Sequence, residues 1–351
     1  MFSPQRDHPL APLTTLELGG KARYFADIHS LDELHEALRW AHNHHVALQI
    51  LGDGSNIIVA DEGVPAFVLR LGLKGIVSDK EAEGRIFVQA AAGESWDALV
   101  EYAVTHNLAG IECLSGIPGR VGAAPIQNIG AYGQDIAQCM AHLEAIHRET
   151  LETRRFDASE CGFSYRQSRF KQPNNPWIIT SVTYALRAQE TSTISYRELK
   201  QALGSSKTTT SFPLAQIRKQ VLALRKSKSM LRSSDDPNRR SVGSFFVNPI
   251  IPTQHVQALQ EAHGATIPQW PVSETQSKLS AAWLIEQSGF YKGQRQGAVG
   301  ISSKHALCLV HHGHGSSEEL LGFAKQIQTK VFECFAINLE IEPSLWLPHA
   351  T

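Results

Sequence analysis

An excess of either charge is missing from this chain: 33 Lys and Arg stand against 34 Asp and Glu over 351 residues, a formal net charge of −1. Without a basic surplus no global field gathers nucleic acid or an anionic membrane, so any anionic ligand must be held by local groups. The start, MFSPQRDHPLAPL, lacks the basic opening and continuous apolar core of a signal peptide, and no later run is long enough to span a bilayer. A cytoplasmic protein is therefore expected. Cysteine is sparse: Cys113, Cys139, Cys161, Cys308 and Cys334 are scattered, odd in number and form no C-x-x-C pair, which reads as reduced, mostly structural thiols. Low-complexity tracts are missing too, and the 42% hydrophobic, 19% charged composition predicts folded structure almost throughout.

Several common signatures are absent. LGDGSN, Leu51 to Asn56, has no third glycine for a dinucleotide fingerprint and no G-K-[ST] for a P-loop. SVGSFFVNP, Ser241 to Pro249, lacks the G-x-S-x-G elbow of a hydrolase. HHGHG, His311 to Gly315, has no accompanying H-E-x-x-H or Cys/His framework, so it reads as a connecting turn and no metal site is expected.

What is present is a chain long enough for two or three domains. Ser30 and Glu33 form a capping box ahead of Leu31, Leu34, Leu38 and Ala41 at helical spacing, predicting a helix after the first strand. VALQIL, GDGSN and IIVA read as strand, tight loop, strand; IFVQAAAG is a further strand before a helix from Trp96 to His106. Strands resume at Ala141 to Arg148 and Ile178 to Leu186. Polar stretches at Ser205 to Ser211 and Ser227 to Ser241 bracket a helical segment, Pro213 to Lys226, and place a boundary near residue 222. A helix from Ser316 to Phe335 with a second capping box, Ser316 and Glu319, leads to a closing strand, INLEIE.

Five segments carry candidate chemistry. In LGDGSN the glycines let successive amides face an anion such as a pyrophosphate, although a plain hairpin turn has the same composition. In LSGIPGRVGAAPIQNIGAYG, Leu114 to Gly133, bulk is missing where a large flat ligand would approach the backbone, and Gln127, Asn128 and Tyr132 add polar and stacking groups. CGFSYRQSRFK, Cys161 to Lys171, sets Tyr165 and Arg166 in a basic cluster that suits phosphate or carboxylate, or simply solvent. SVGSFFVNP presents Ser244 between a glycine and two aromatics, and in NLEIEP alternation puts Glu340 and Glu342 on one face.

Taken in order, LGDGSN, SGIPGRVGAAPIQNIGAYGQD, FSYRQSRFK, GSFFVNP and LEIEP resemble the UDP-N-acetylenolpyruvoylglucosamine reductases over nearly the whole chain, and TISYRELK is similar to the longer form with a tyrosine loop. The resemblance implies an α+β protein: a two-part FAD-binding module of the vanillyl-alcohol-oxidase (PCMH) type over residues 1–72 and 73–222, then a substrate-binding domain over 223–351 whose last strand is a candidate to return to the first part. It implies reduction of UDP-N-acetylglucosamine enolpyruvate to UDP-N-acetylmuramate for peptidoglycan synthesis, with NADPH as co-substrate, by a monomer with no nucleic-acid or membrane partner.

By motif position, Gly52, Asp53, Gly54, Ser55 and Asn56 are implied to hold the FAD pyrophosphate. Ile117, Pro118, Gly119, Val121, Gly122 and Ala123, with Gln127, Asn128, Gly130, Ala131, Tyr132 and Gly133, would line the rest of the cofactor. The first loop contains no His or Cys, so the FAD is expected to be non-covalent. Reducing a double bond conjugated to a carboxylate needs a hydride at one carbon and a proton at the other. The family implies Ser244 as proton donor, with Arg166 and Glu342 stabilising the enolic intermediate. Tyr165, Tyr196, Lys228, Asn248, Lys278 and Arg295 are implied to bind substrate, Lys228 as partner of the diphosphate. Two departures stand out: Pro343 and Ser344 replace the usual V-R after the glutamates, leaving Glu340 as an alternative, and Arg120 occupies a position where a smaller residue is common.

Overall fold

The computed structural model describes residues 2–80, 84–204 and 210–348; residues 205–209 of the first polar stretch lie outside them. Two compact units are present, one built from Met1–His8, Ala22–Asp53 and Pro65–Leu231, the other from Pro9–Lys21, Gly54–Val64 and Arg232–Thr351. The division after Leu231 lies nine residues past the boundary near 222 expected from sequence.

In the first unit, a sheet runs Gln5–Pro9, Lys21–Ile28, Val64–Leu71, Leu48–Leu51, the last pair parallel. Two strands therefore precede the first helix where sequence suggested one, because QRDHP is a polar edge strand with no apolar alternation to announce it. Helix α1, Leu31–Asn43, turns Leu34, Ala37, Leu38 and Ala41 inward against Phe67 and Leu69. Ser30 Oγ accepts from the Glu33 amide at 3.1 Å, but the Glu33 carboxylate takes the His29 amide at 2.6 Å instead of Ser30's, so the cap is a box shifted by one residue.

A larger antiparallel sheet is ordered Thr153–Asp157, Met140–His147, Trp177–Ala188, Arg85–Ala91, Ile76–Lys80, with Leu108–Ala109 also on Trp177–Ala188. Helix α2, Trp96–Thr105, belongs to the same core, where Trp96 meets Tyr184 edge-on at 5.7 Å. The buried indole N–H is not left unpaired: it donates to the Leu114 carbonyl at 3.1 Å. Two helices were less visible in sequence or shifted slightly, α3 over Arg197–Ala202 and α4 over Leu214–Ser227.

The second unit holds α5, Thr253–His263, α6, Ala281–Gln287, and α7, Ser317–Phe335, with two three-stranded sheets, Ile250–Pro252 with Gln276–Leu279 and Gln269–Pro271, and Arg295–Gln296 with Val299–Ile301 and Leu309–His311. Ser316 caps α7 through the Glu319 amide at 3.0 Å, whereas the Glu319 carboxylate accepts from Ala298 at 2.8 Å, fastening the helix to the neighbouring turn instead of closing a box. The expected strand INLEIE is only a short ladder: Val247 donates to the Glu340 carbonyl and Glu342 donates to the Phe245 carbonyl, each at 2.9 Å, before buried Pro343, with no N–H, ends it. The last regular strand, Ser344–Trp346, pairs in parallel with Ile57–Val59 of the same unit. Among the described residues, no helix is long and apolar enough to cross a membrane.

Candidate active site

LGDGSN is divided between the units, Leu51 to Asp53 in the first and Gly54 to Asn56 in the second. Its two glycines serve different ends. A Cβ on Gly54, at φ +60°, would lie 2.1 Å from the Leu13 carbonyl oxygen, so glycine there lets the loop pack on its own chain. Gly52 has ordinary backbone geometry, and a Cβ would reach Arg120 and Ala123 only at 3.6–3.8 Å, plain van der Waals contact. Among the described residues, no atom crowds Gly52 enough to require glycine there, so the backbone at this position is open to close approach by a ligand.

The glycine-rich segment is zipped to the turn before α2. Gly122 donates to the Ala92 carbonyl and Val121 to the Glu94 carbonyl, both at 2.9 Å, and Trp96 donates to the Gly119 carbonyl at 3.0 Å. A Cβ on Gly122 would sit 2.6 Å from the Ala92 Cβ, so its smallness, read from sequence as clearance for a ligand, is used by the protein itself. Arg120 gains a definite role: Nε donates to Asp53 at 2.8 Å and Nη1 to the Gly93 carbonyl at 2.6 Å, tying the two loops together. Further along, Asp97 accepts both Arg218 guanidinium nitrogens at 2.6 and 2.9 Å and the Gly116 amide at 2.6 Å. Burial would raise the Asp97 carboxyl, but these donors outweigh it and hold the group below its ordinary range.

Tyr165 and Arg166 are the central residues of a turn closed by Ser164 and Gln167, with Arg166 at φ +56°. A non-glycine residue in that conformation costs on the order of 1–2 kcal/mol, strain of the kind found where a side chain must be aimed. The turn docks on the loop Gln127 to Gly133: Arg166 Nη2 donates to the Gly130 carbonyl at 2.9 Å, Asn128 Nδ2 donates to the Ser164 carbonyl at 3.2 Å, and Ser168 Oγ donates to the Ile126 carbonyl at 2.7 Å. Tyr132 meets Tyr196 edge-on at 5.5 Å, and burial pushes the Tyr132 hydroxyl up to about 12. Lys228 follows α4 and is paired with Glu198, a residue that no motif singled out.

In the second unit, Gly243 at φ +75° introduces half-buried Ser244, and the next two side chains, Phe245 and Phe246, are fully buried and meet at 5.2 Å. The short ladder puts Glu342 opposite Phe245, one residue from Ser244; Glu342 is half-buried and Glu340 exposed. Ser344, where an arginine was expected, donates its amide to the Asn56 carbonyl at 3.0 Å. Asn248 accepts the Ala281 amide at 3.0 Å at the start of α6, a capping role beside any ligand role. Lys278 lies 5.9 Å from the Trp270 ring centre, and Arg295 is exposed in its strand. Arg166 thus belongs to the first unit, and Ser244 and Glu342 to the second.

His311 uses both ring nitrogens. A carbonyl only accepts and an amide only donates, so Nδ1–H bonds Leu16 O and Nε2 receives the Gly315 N–H, both at 3.1 Å, fixing one neutral tautomer. Burial holds this imidazole below its ordinary pKa. Among the described residues, no group of three His, Cys, Asp or Glu is placed to hold a metal ion. None of the five cysteines is in a disulfide; Cys113, Cys139, Cys161 and Cys308 are buried and Cys334 is half-buried.

The α+β architecture and its glycine loops are those of a flavin-dependent oxidoreductase: residues 22–149 match an FAD binding domain. Residues 235–346 match the C-terminal domain of UDP-N-acetylenolpyruvoylglucosamine reductase. The chain is 41% identical to the enzyme of that name from Thermobifida fusca over 345 residues, 96% of each chain. It is 36% identical to the one from Pseudomonas fluorescens, covering 97% of this chain and 98% of that one. The crystal structure of the reductase from Thermus caldophilus superposes with a TM-score of 0.67 at 26% identity, covering 99% of this chain and 100% of that chain. The chain belongs to the UDP-N-acetylenolpyruvoylglucosamine reductase family.

Proposed function

We propose that this enzyme reduces the enolpyruvyl ether of UDP-N-acetylglucosamine to UDP-N-acetylmuramate, using NADPH and non-covalently held FAD, in the cytoplasm where nucleotide sugars and NADPH are made. Full-length family membership supports the reaction. The observation that supports the site is the ladder that brings the Glu342 backbone next to the residue after Ser244, with the Glu342 N–H donating to the Phe245 carbonyl at 2.9 Å. FAD, when bound, supplies the hydride that NADPH provides. In this reading Gly52 to Asn56 and the segments Ile117 to Ala123 and Gln127 to Gly133 hold it, with Arg120 keeping the first two in register.

Hydride addition leaves a basic carbon next to the substrate carboxylate, and that carbon needs one proton. Ser244 supplies it. A hydroxyl is a weak acid, so the transfer depends on a site that stabilises charge on the carboxylate. Arg166 presents a planar cation held by the Gly130 carbonyl, and a protonated Glu342 donates a further hydrogen bond. Tyr165, Tyr196, Lys228, Asn248, Lys278 and Arg295 bind the UDP-sugar, Lys228 at the diphosphate.

The test is spectroscopic. The purified protein should show flavin absorbance that NADPH bleaches and the enolpyruvyl sugar restores. A colourless protein, or colour that returns only with oxygen, would refute the reading.

A further inference from the structure

Lys228, the residue placed at the diphosphate above, is not presented to solvent as a bare cation. Its ammonium lies 2.6 and 2.7 Å from the two carboxylate oxygens of Glu198 in the first turn of α3. It also sits 6.0 Å from the Tyr132 ring centre, and Tyr132 packs edge-on against Tyr196, two residues before Glu198. The pair is partly exposed, with side-chain exposures of 26% for Lys228 and 38% for Glu198, so water and ions reach it. Glu198 therefore sits where an anionic ligand of Lys228 would place its own oxygens.

We propose that Glu198 is a built-in competitor for the phosphate site: it holds the Lys228 ammonium until a diphosphate displaces it, and retakes it as the product leaves. The inference rests on the diphosphate reading of Lys228. A ligand oxygen and the Glu198 carboxylate cannot both be centred on one ammonium at such distances without like charges meeting, so binding is an exchange of partners. A diphosphate carries more charge than one carboxylate and wins the exchange, yet it gives up part of its affinity to do so. Exposed ion pairs of this kind shift an equilibrium only modestly, so the loss is roughly two- to five-fold in Kd. Glu198 acts through Lys228 and is a positioning residue, not a catalytic one.

The test is calorimetric titration of the full-length, flavin-loaded protein with UDP and, separately, with uridine. E198Q and E198A should each bind UDP two- to five-fold more tightly than the parent, while uridine, which offers no phosphate, binds unchanged. K228A should weaken UDP binding, and E198Q added to K228A should change nothing further. If E198Q tightens UDP equally in the K228A background, a general field and not competition is at work, and the proposal fails. Weaker UDP binding in K228A with unchanged or weaker binding in E198Q overturns the competitor and leaves the diphosphate reading standing. Unchanged UDP binding in K228A overturns that reading and the proposal with it.

Discussion

Gly52, Gly54 and Gly122 look interchangeable in sequence, yet their alanine variants should fail in different ways. At Gly122 the added Cβ meets the Ala92 Cβ at 2.6 Å and its Cα at 3.1 Å, an overpacking clash worth about 1–3 kcal/mol. At Gly54 the Cβ meets the Leu13 carbonyl at 2.1 Å and the Thr14 Cα at 2.7 Å, and the left-handed backbone adds its own cost, for a total of about 2–5 kcal/mol. At Gly52 no neighbour is nearer than 3.6 Å, so the folded protein loses nothing, and a stiffer unfolded chain contributes about 0.4–1 kcal/mol of stability. Melting of flavin-free protein should therefore rank G52A at or above the parent, then G122A, then G54A, with about 2–4 °C of Tm per kcal/mol for a unit of 150–250 residues. Flavin affinity should single out G52A. A methyl group that keeps the pyrophosphate from backbone amides removes a hydrogen bond to a charged group and weakens FAD roughly ten- to hundred-fold, read by equilibrium dialysis. G52A holding FAD as tightly as the parent would refute the cradle, and G54A melting with the parent would refute the packing argument.

Ser244→Ala should leave flavin reduction by NADPH nearly intact and slow reoxidation by the enolpyruvyl sugar by more than the roughly 10²–10⁴-fold usual for a general acid; stopped-flow traces showing parental reoxidation would assign the proton to another group. Asp97 is held below its ordinary range by Arg218 and the Gly116 amide, so its contribution to stability is present above the unfolded carboxylate pKa and is lost as pH falls through the lower folded value. Denaturation followed from neutral pH downward should show the parent losing more stability than Asp97→Asn over that acid window, and parallel curves would contradict it. His311 titrates in the same sense near its own range: the folded state favours the neutral ring, so stability present above the unfolded histidine pKa falls away below it, and His311→Gln should flatten the profile there.

Much of this molecule was legible in advance because its signals are local. Ser30 and Ser316 each accept an amide three residues on, and the apolar stripes behind them became α1 and α7. The partners of Glu33 and Glu319 were not legible, since His29 and Ala298 are chosen by the path of the chain outside each helix. The alternation in INLEIE correctly sorted buried Ile337 and Leu339 from exposed Glu340, but not the length of the ladder, which Pro343 cuts short. Among the candidate site residues, the motifs pointed to Arg166, Ser244 and Lys228, whereas the pairs Arg120 with Asp53, Arg218 with Asp97 and Lys228 with Glu198 join residues 67, 121 and 30 positions apart. Pairings of that span leave no periodicity to read. The tasks of the glycines were hidden for the same reason: whether a missing side chain makes room for a ligand or for the chain's own backbone depends on Leu13 and Ala92, residues distant in sequence.

The second unit is stitched together from three stretches of chain, and its core includes Leu16, Leu18 and Ile58, exposed by 1%, 4% and 1%, alongside α6 and α7. A fragment beginning at Arg232 would lack those plugs and the strand Ile57–Val59 on which Ser344–Trp346 is laid. It would not be a portable cassette. Gene fusion or truncation at the apparent junction should yield an aggregating piece, and exchange of this module between relatives should succeed only when the early segments travel with it.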